Sequence, residues 1–273
     1  MIQTLIRRLA PAAALAGAAL LGSCDGLNIQ IGDKDGVPLA ELDMEGAAPT
    51  ELVLAGPDKV VVTRGDALAI DVSGDPGAVD ALRFSLDEET LGIHREKDSW
   101  KGKGTATVRV TMPGLNELVL AGSGQIEADR MDEPAGITVA GSGSVKVARL
   151  EVERLETTIA GSGDLEISGT ADRMDLTIAG SGQARMAGLT VDRAEVSVAG
   201  SGDAEFTSDG RVEASIAGSG DITVNGSAEC TVSSMGSGSL KCRKAPSAAT
   251  REAAAPVAPD APEAPEAPEA PEA

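Results

Sequence analysis

Apolar residues through the middle of the chain alternate with polar ones, and the alternation restarts every 18 to 20 residues. The restart point is a tetrapeptide, Ala121-Gly122-Ser123-Gly124, which recurs at 140–143, 160–163, 179–182, 199–202 and 217–220 and as Met235-Gly236-Ser237-Gly238. Aligned on its first glycine, the position two before reads Leu120, Val139, Ile159, Ile178, Val198, Ile216 and Ser234. The position four before reads Leu118, Ile137, Thr157, Leu176, Val196, Ala214 and Val232. Four and six residues after the glycine, the positions are again apolar, from Ile126 and Ala128 to Leu240 and Cys242. A period of two predicts short strands with one buried face, and glycine supplies the positive φ that a sharp corner needs.

A fixed repeat of this length predicts a solenoid in which each unit buries its apolar face only by stacking on the next. The expected fold is all-β: a single-stranded parallel β-helix with three faces and 18–20 residues per coil. Strand twist makes it right-handed. Coils about 4.8 Å apart turn every column into a ladder of similar side chains. Aromatic residues are 1% of the chain against 42% hydrophobic, which suits a thin aliphatic core.

The expected organisation has four parts. Residues 1–23 read as a signal peptide, with Arg7 and Arg8 before the apolar stretch Leu9–Leu21, too short to span a membrane comfortably. Residues 24–49 form a tether, and 50–243 the solenoid. Within it, 50–115 are irregular N-terminal coils and a cap, and 116–243 are the Gly-Ser-Gly coils. Leu52-Val53-Leu54-Ala55-Gly56-Pro57 looks like a decayed first corner, and 68–72, 82–86 and 107–111 alternate as strands. Residues 244–273 contain seven prolines and end in Pro-Glu-Ala repeats, an acidic tail that cannot build a core.

Candidate sites follow from the ladders. Seven copies of a Gly-Ser corner argue against a nucleophile, so Ser123, Ser142, Ser162, Ser181, Ser201, Ser219 and Ser237 read as a structural ladder with hydroxyls bonding coil to coil. Glu127, Lys146, Glu166, Arg185 and Glu205 alternate in sign and should pair along their column. Glu156, Asp175, Glu195 and Glu213 stack without a partner in theirs. Such a row is either a solvated acidic face or a strip that attracts Ca²⁺; Asp164, Asp203 and Asp221 could form a second. The calcium-binding nonapeptide repeat is not matched, because Asp164 directly follows Gly163. Cys230 and Cys242 flank the last corner on inward positions, where a disulfide or two buried thiols would fit.

Leu21-Gly22-Ser23-Cys24 resembles the bacterial lipobox, which implies cleavage before Cys24 and lipid attachment to its thiol. The alternative is a secreted protein with Cys24 free. The order of Thr90-Leu91-Gly92-Ile93, then Val108-Arg109-Val110-Thr111-Met112-Pro113-Gly114-Leu115, then Gly-Ser-Gly corners resembles the head GIN domain family of auto-transporter adhesins, over about residues 50–240. The resemblance implies an envelope-anchored β-helix and supplies no catalytic mechanism. Gln125, Ser144 and Gln183 stand where that family commonly has Asp or Asn.

Two function classes stay open. One is a non-enzymatic, lipid-anchored protein of the bacterial envelope, on the periplasmic side or outer surface, binding a protein or glycan partner through its ladders. The other is a carbohydrate-active β-helix enzyme, a polysaccharide lyase or hydrolase. Catalysis would need acids and bases converging in a cleft. His94, with Asp98 in an expected loop, is the only local cluster with a base. A formal charge of −20 argues against nucleic acid and anionic glycans as direct ligands.

Overall fold

The computed structural model describes residues 36–96 and 104–243. Cys24, the expected signal peptide, Asp98 and residues 244–273 lie outside the described residues. In the regular region the chain climbs as a parallel β-helix. β7 (Glu117–Gly122) and β8 (Gln125–Met131) are followed by β9 (Ala135–Gly141), β10 (Ser144–Gly161), β11 (Asp164–Gly180) and β12 (Gln183–Gly200). β13 (Asp203–Thr207), β14 (Arg211–Gly218), β15 (Asp221–Asn225), β16 (Glu229–Gly236) and β17 (Ser239–Arg243) complete it. Corner glycines meet in register, with Gly141, Gly161, Gly180, Gly200, Gly218 and Gly236 each opposite the next.

Close approach between coils explains the corner's composition. Gly180 has φ +131°, and a Cβ there would lie 2.2 Å from the carbonyl oxygen of Gly161. Gly182 has no such φ, but its Cβ would meet Ile159 Cγ2 at 2.4 Å and Gly163 O at 2.7 Å. The first glycine answers to backbone conformation and the backbone of the coil below. The second answers mainly to packing over the buried column.

Inward side chains of a coil fall in three runs separated by exposed pairs, as in Val145 and Val147, Leu150 and Val152, then Leu155, Thr157 and Ile159. These runs are the three faces. Most of the buried residues of each column are apolar, and Phe206 fills the axis of an upper coil with no exposure.

The N-terminal region departs from chain order. β1 (Glu51–Ala55) and β2 (Lys59–Arg64) form one coil. The chain then leaves through β3 (Ala69–Gly74), α1 (Pro76–Asp80) and β4 (Leu82–Leu86). It returns as β5 (Thr90–Arg95) and β6 (Ala106–Met112). β5 pairs parallel with one edge of β1 while β7 pairs with the other, and β2 likewise lies between β6 and β8. The second coil in sequence is thus the first in the stack. β4 runs antiparallel on β5 and β3 antiparallel on β6, which closes that end. Val37 bridges Phe84, and Leu39 and Leu42 pack against the core, so the expected tether already joins the fold well before residue 50. Gly56 donates its amide to Ala121 O at 3.0 Å, making 52–57 a true corner of the series.

Candidate functional site

Strand register assembles the acidic column. Glu117, Gly136, Glu156, Asp175, Glu195 and Glu213 follow one another coil by coil, and Glu51 extends the column beyond Glu117. Burial pushes the Glu117 carboxyl above the usual carboxylate range, and the charges of Glu51 and Glu156 add to the effect.

Two residues earlier in each coil stands a column absent from the sequence reading. Arg154, Arg173, Arg193 and Arg211 are in register, followed by Glu229. Its signal was available, an arginine seven residues before each corner glycine in four consecutive repeats. Glu153, Asp172 and Asp192 each precede an arginine, so the cationic column runs between two anionic ones. Of the four arginines, Arg211 alone forms an ion pair among the described residues, to Glu229 at 3.4 Å. Arg154, Arg173 and Arg193 line a surface groove of about 460 Å³ with Glu133, Glu153 and Asp172. A second groove of about 180 Å³ joins Arg173, Arg193 and Arg211 to Asp175, Glu195 and Glu213.

The calcium alternative gains no coordination shell from this arrangement. Glu156, Asp175, Glu195 and Glu213 form a ladder, but among the described residues no three Asp, Glu, His or Cys side chains gather to hold a metal ion. One carboxylate per coil, at about 4.8 Å, is a row rather than a coordination shell. The arginine column stands beside the row, two residues earlier in each coil. Asp203 and Asp221 serve the next coil instead: Asp203 accepts the Asp221 amide at 2.8 Å, and Asp221 accepts the Ser239 hydroxyl at 2.6 Å.

The alternating column also pairs differently from expectation. Lys146 does meet Glu166, at 2.6 Å. Arg185 turns instead to Asp164 at 3.2 Å, two residues across and one coil below, and Lys241 likewise to Asp221 at 2.9 Å. Exposed pairs of this kind contribute roughly 0.2–1 kcal/mol each, so the choice between diagonal and straight partners is nearly free.

At the corners, coil-to-coil bonding is made by amides rather than hydroxyls. Ser162 N donates to Gly141 O, Ser181 N to Gly161 O and Ser201 N to Gly180 O, each at 2.8 Å. The serine side chains stand exposed outside this ladder. Cys230 and Cys242 are joined by a disulfide across the last coil, their Cα atoms 6.7 Å apart.

His94 lies in β5, not in a loop, half-buried and opposite Arg83. The neighbouring Arg95 is 5% exposed and makes a bidentate pair with Asp58, at 2.7 Å from Nε and 2.6 Å from Nη2. Asp58 also accepts the Ala106 amide at 2.7 Å, and Arg95 donates to Gly104 O at 2.9 Å. That hydrogen bonding holds the Arg95 proton more tightly than usual. The pair is internally satisfied and ties β5 and β6 to the β1–β2 turn, a structural assignment.

With the coil order and corner series in place, a family model described as "Putative auto-transporter adhesin, head GIN domain" matches residues 48–228. The chain belongs to the head GIN domain family. A structure from Parabacteroides distasonis, described as a "putative lipid binding protein", is 25% identical at TM-score 0.59, over 72% of this chain and 94% of that one. A "putative adhesin" from Bacteroides fragilis is 21% identical at TM-score 0.62, over 71% and 92%. Another from Parabacteroides merdae is 18% identical at TM-score 0.54, over 72% and 92%. No curated protein matches the chain significantly.

Proposed function

We propose that this head GIN domain protein is a non-enzymatic, lipid-anchored protein of the bacterial envelope that binds an envelope protein or glycan in the manner of an adhesin. Cys24 is the attachment point. The observation that carries the reading is the strip in which an arginine column runs for four coils beside one carboxylate column and, over three of them, between two. Its charges are largely unpaired within the molecule and recur at a fixed interval, which suits a partner with regularly spaced charges of both signs. The grooves along it are lined by charged groups, a poor match for an acyl chain. Catalysis has little support, because the acids are distributed along columns rather than converging, and the histidine is part of a strand.

Two variants separate the parts of this reading. Cys24→Ala is expected to abolish incorporation of labelled palmitate and to move the protein from the membrane to the soluble fraction. Joint replacement of Arg154, Arg173 and Arg193 by Gln is expected to reduce cell attachment at least several-fold while membrane fractionation stays unchanged. Attachment equal to that of the parent would remove the strip from the account. Depolymerisation of a polysaccharide by the purified protein would favour the enzymatic reading.

A further inference from the structure

Side chains two residues apart on a strand point to the same side of the sheet. Four successive coils place an arginine and a carboxylate there as Arg-x-Glu or Arg-x-Asp, beginning at Arg154, Arg173, Arg193 and Arg211. Sign is thus constant along each column and opposite between the two. Among the described residues no arginine of these motifs pairs with the carboxylate of its own motif, and Arg211 alone has an ion pair, to Glu229. Like charges stacked about 4.8 Å apart repel along the axis. The column from Lys146 to Glu205 shows the other solution: its signs alternate, and Lys146 meets Glu166 inside the molecule. Columns segregated by sign are answered best from outside.

We propose that a second copy of this chain answers them, docked through the same strip with its coil axis parallel. The proposal rests on reading the strip as the binding surface and names its partner. Symmetry selects the arrangement. A twofold axis running along the coil direction, between the two columns, sets the arginine column of each copy against the carboxylate column of the other at equal height. Arg173 of one copy then faces Asp175 of the other, the reverse contact forms beside it, and the same exchange holds at each rung. A twofold across the coil direction instead brings each column onto its own image, arginine on arginine. The parallel pair is the complementary one. The trough of about 180 Å³ between the columns lies on this axis and leaves room for side chains of both copies to reach across.

Parallel docking turns both N-termini the same way, as two copies anchored in one membrane require. A two-column patch of exposed ion pairs binds weakly by itself, and confinement to one surface supplies the effective concentration it needs. The net charge of −20 opposes approach. At about 0.15 M salt that repulsion is screened beyond about 8 Å, whereas ion pairs in contact are screened less.

The test is a charge swap in the full chain with Cys24→Ala, held on nickel-chelating vesicles by an N-terminal His tag so that it does not depend on lipidation. One variant carries Arg173→Glu and Arg193→Glu, the other Asp175→Arg and Glu195→Arg. Energy transfer between donor and acceptor dyes on the tags reads association, light scattering reads vesicle clustering, and circular dichroism reports that the β-structure is kept. The expected result is transfer in the parent, a loss of about threefold or more in each variant alone, and recovery when the two variants are mixed, because opposite signs then face each other again. No clustering of vesicles is expected. Absence of transfer in the parent, parental transfer in the single variants, or a mixture that fails to recover would each overturn the proposal. So would clustering, which needs antiparallel copies on facing membranes. The swap of Arg154→Glu against Glu156→Arg repeats the test one coil lower if a double variant loses its β-structure. Transfer that follows the swap while cell attachment stays at the parental level would uphold the pairing and remove the adhesive reading of the strip.

Discussion

Thr157 sits in an inward column otherwise filled by residues such as Ile137, Leu176 and Val196. It is 1% exposed, and its hydroxyl has no hydrogen-bond partner. Replacing a buried, unbonded hydroxyl by a methyl removes a desolvation penalty, so Thr157→Val is expected to stabilise the protein by about 1 kcal/mol in urea unfolding. Asp58 presents the opposite case. Asp58→Asn would leave the Arg95 guanidinium buried without its countercharge, an expected loss of about 3–5 kcal/mol. Glu117 adds a pH dependence. Its folded-state pKa is raised, so the protonated form is favoured in the fold and stability is lost as pH rises through that value. Glu117→Gln should therefore raise the melting temperature at neutral pH and leave it unchanged below the unfolded-state value of about 4.3. The columns holding Thr157 and Glu117 were legible in sequence, because a fixed period aligns residues without any knowledge of distance. The Asp58–Arg95 pair was not, because the two residues lie in a region where the period fails.

At the scale of the element, the coil corner and the inserted coil show how far periodicity reaches. The corner is demanding at Gly180, whereas the strand position Gly136 is permissive. A Cβ at Gly136 finds no atom nearer than 3.6 Å, and Gly136 is not at positive φ. Gly180→Ala is expected to cost about 1–3 kcal/mol from backbone strain alone, plus the contact with Gly161. Gly136→Ala should be neutral or slightly stabilising, since alanine loses less backbone entropy than glycine. Thermal unfolding of the two variants side by side checks the contrast. The alternation at 68–72, 82–86 and 107–111 anticipated β3, β4 and β6. Their order in the stack could not be anticipated, because insertion of β1 between β5 and β7 depends on which edge is free when the chain returns. His94 was misplaced for the same reason: with no repeat to align it, it was grouped with Asp98 in a loop, whereas it belongs to β5.

For the molecule as a whole, the charge pattern is the property that matters most. Read column by column, the acidic ladder stood without a partner, which left a solvated face or a Ca²⁺ strip as alternatives. The fold sets an arginine column beside it, so charges of both signs alternate across the strip. Millimolar Ca²⁺ is accordingly expected to leave the melting temperature unchanged. Arg173→Gln with Arg193→Gln should lower it, and added salt should recover much of the loss by screening the exposed carboxylates. A strip of this kind performs its proposed task only where a partner can reach it. The most direct measurement is proteolysis of the tagged, full-length protein on intact cells compared with lysed cells. Cleavage of the solenoid on intact cells is the result expected of an outward-facing adhesin. Protection until lysis would place the strip in the periplasm and contradict the adhesin account.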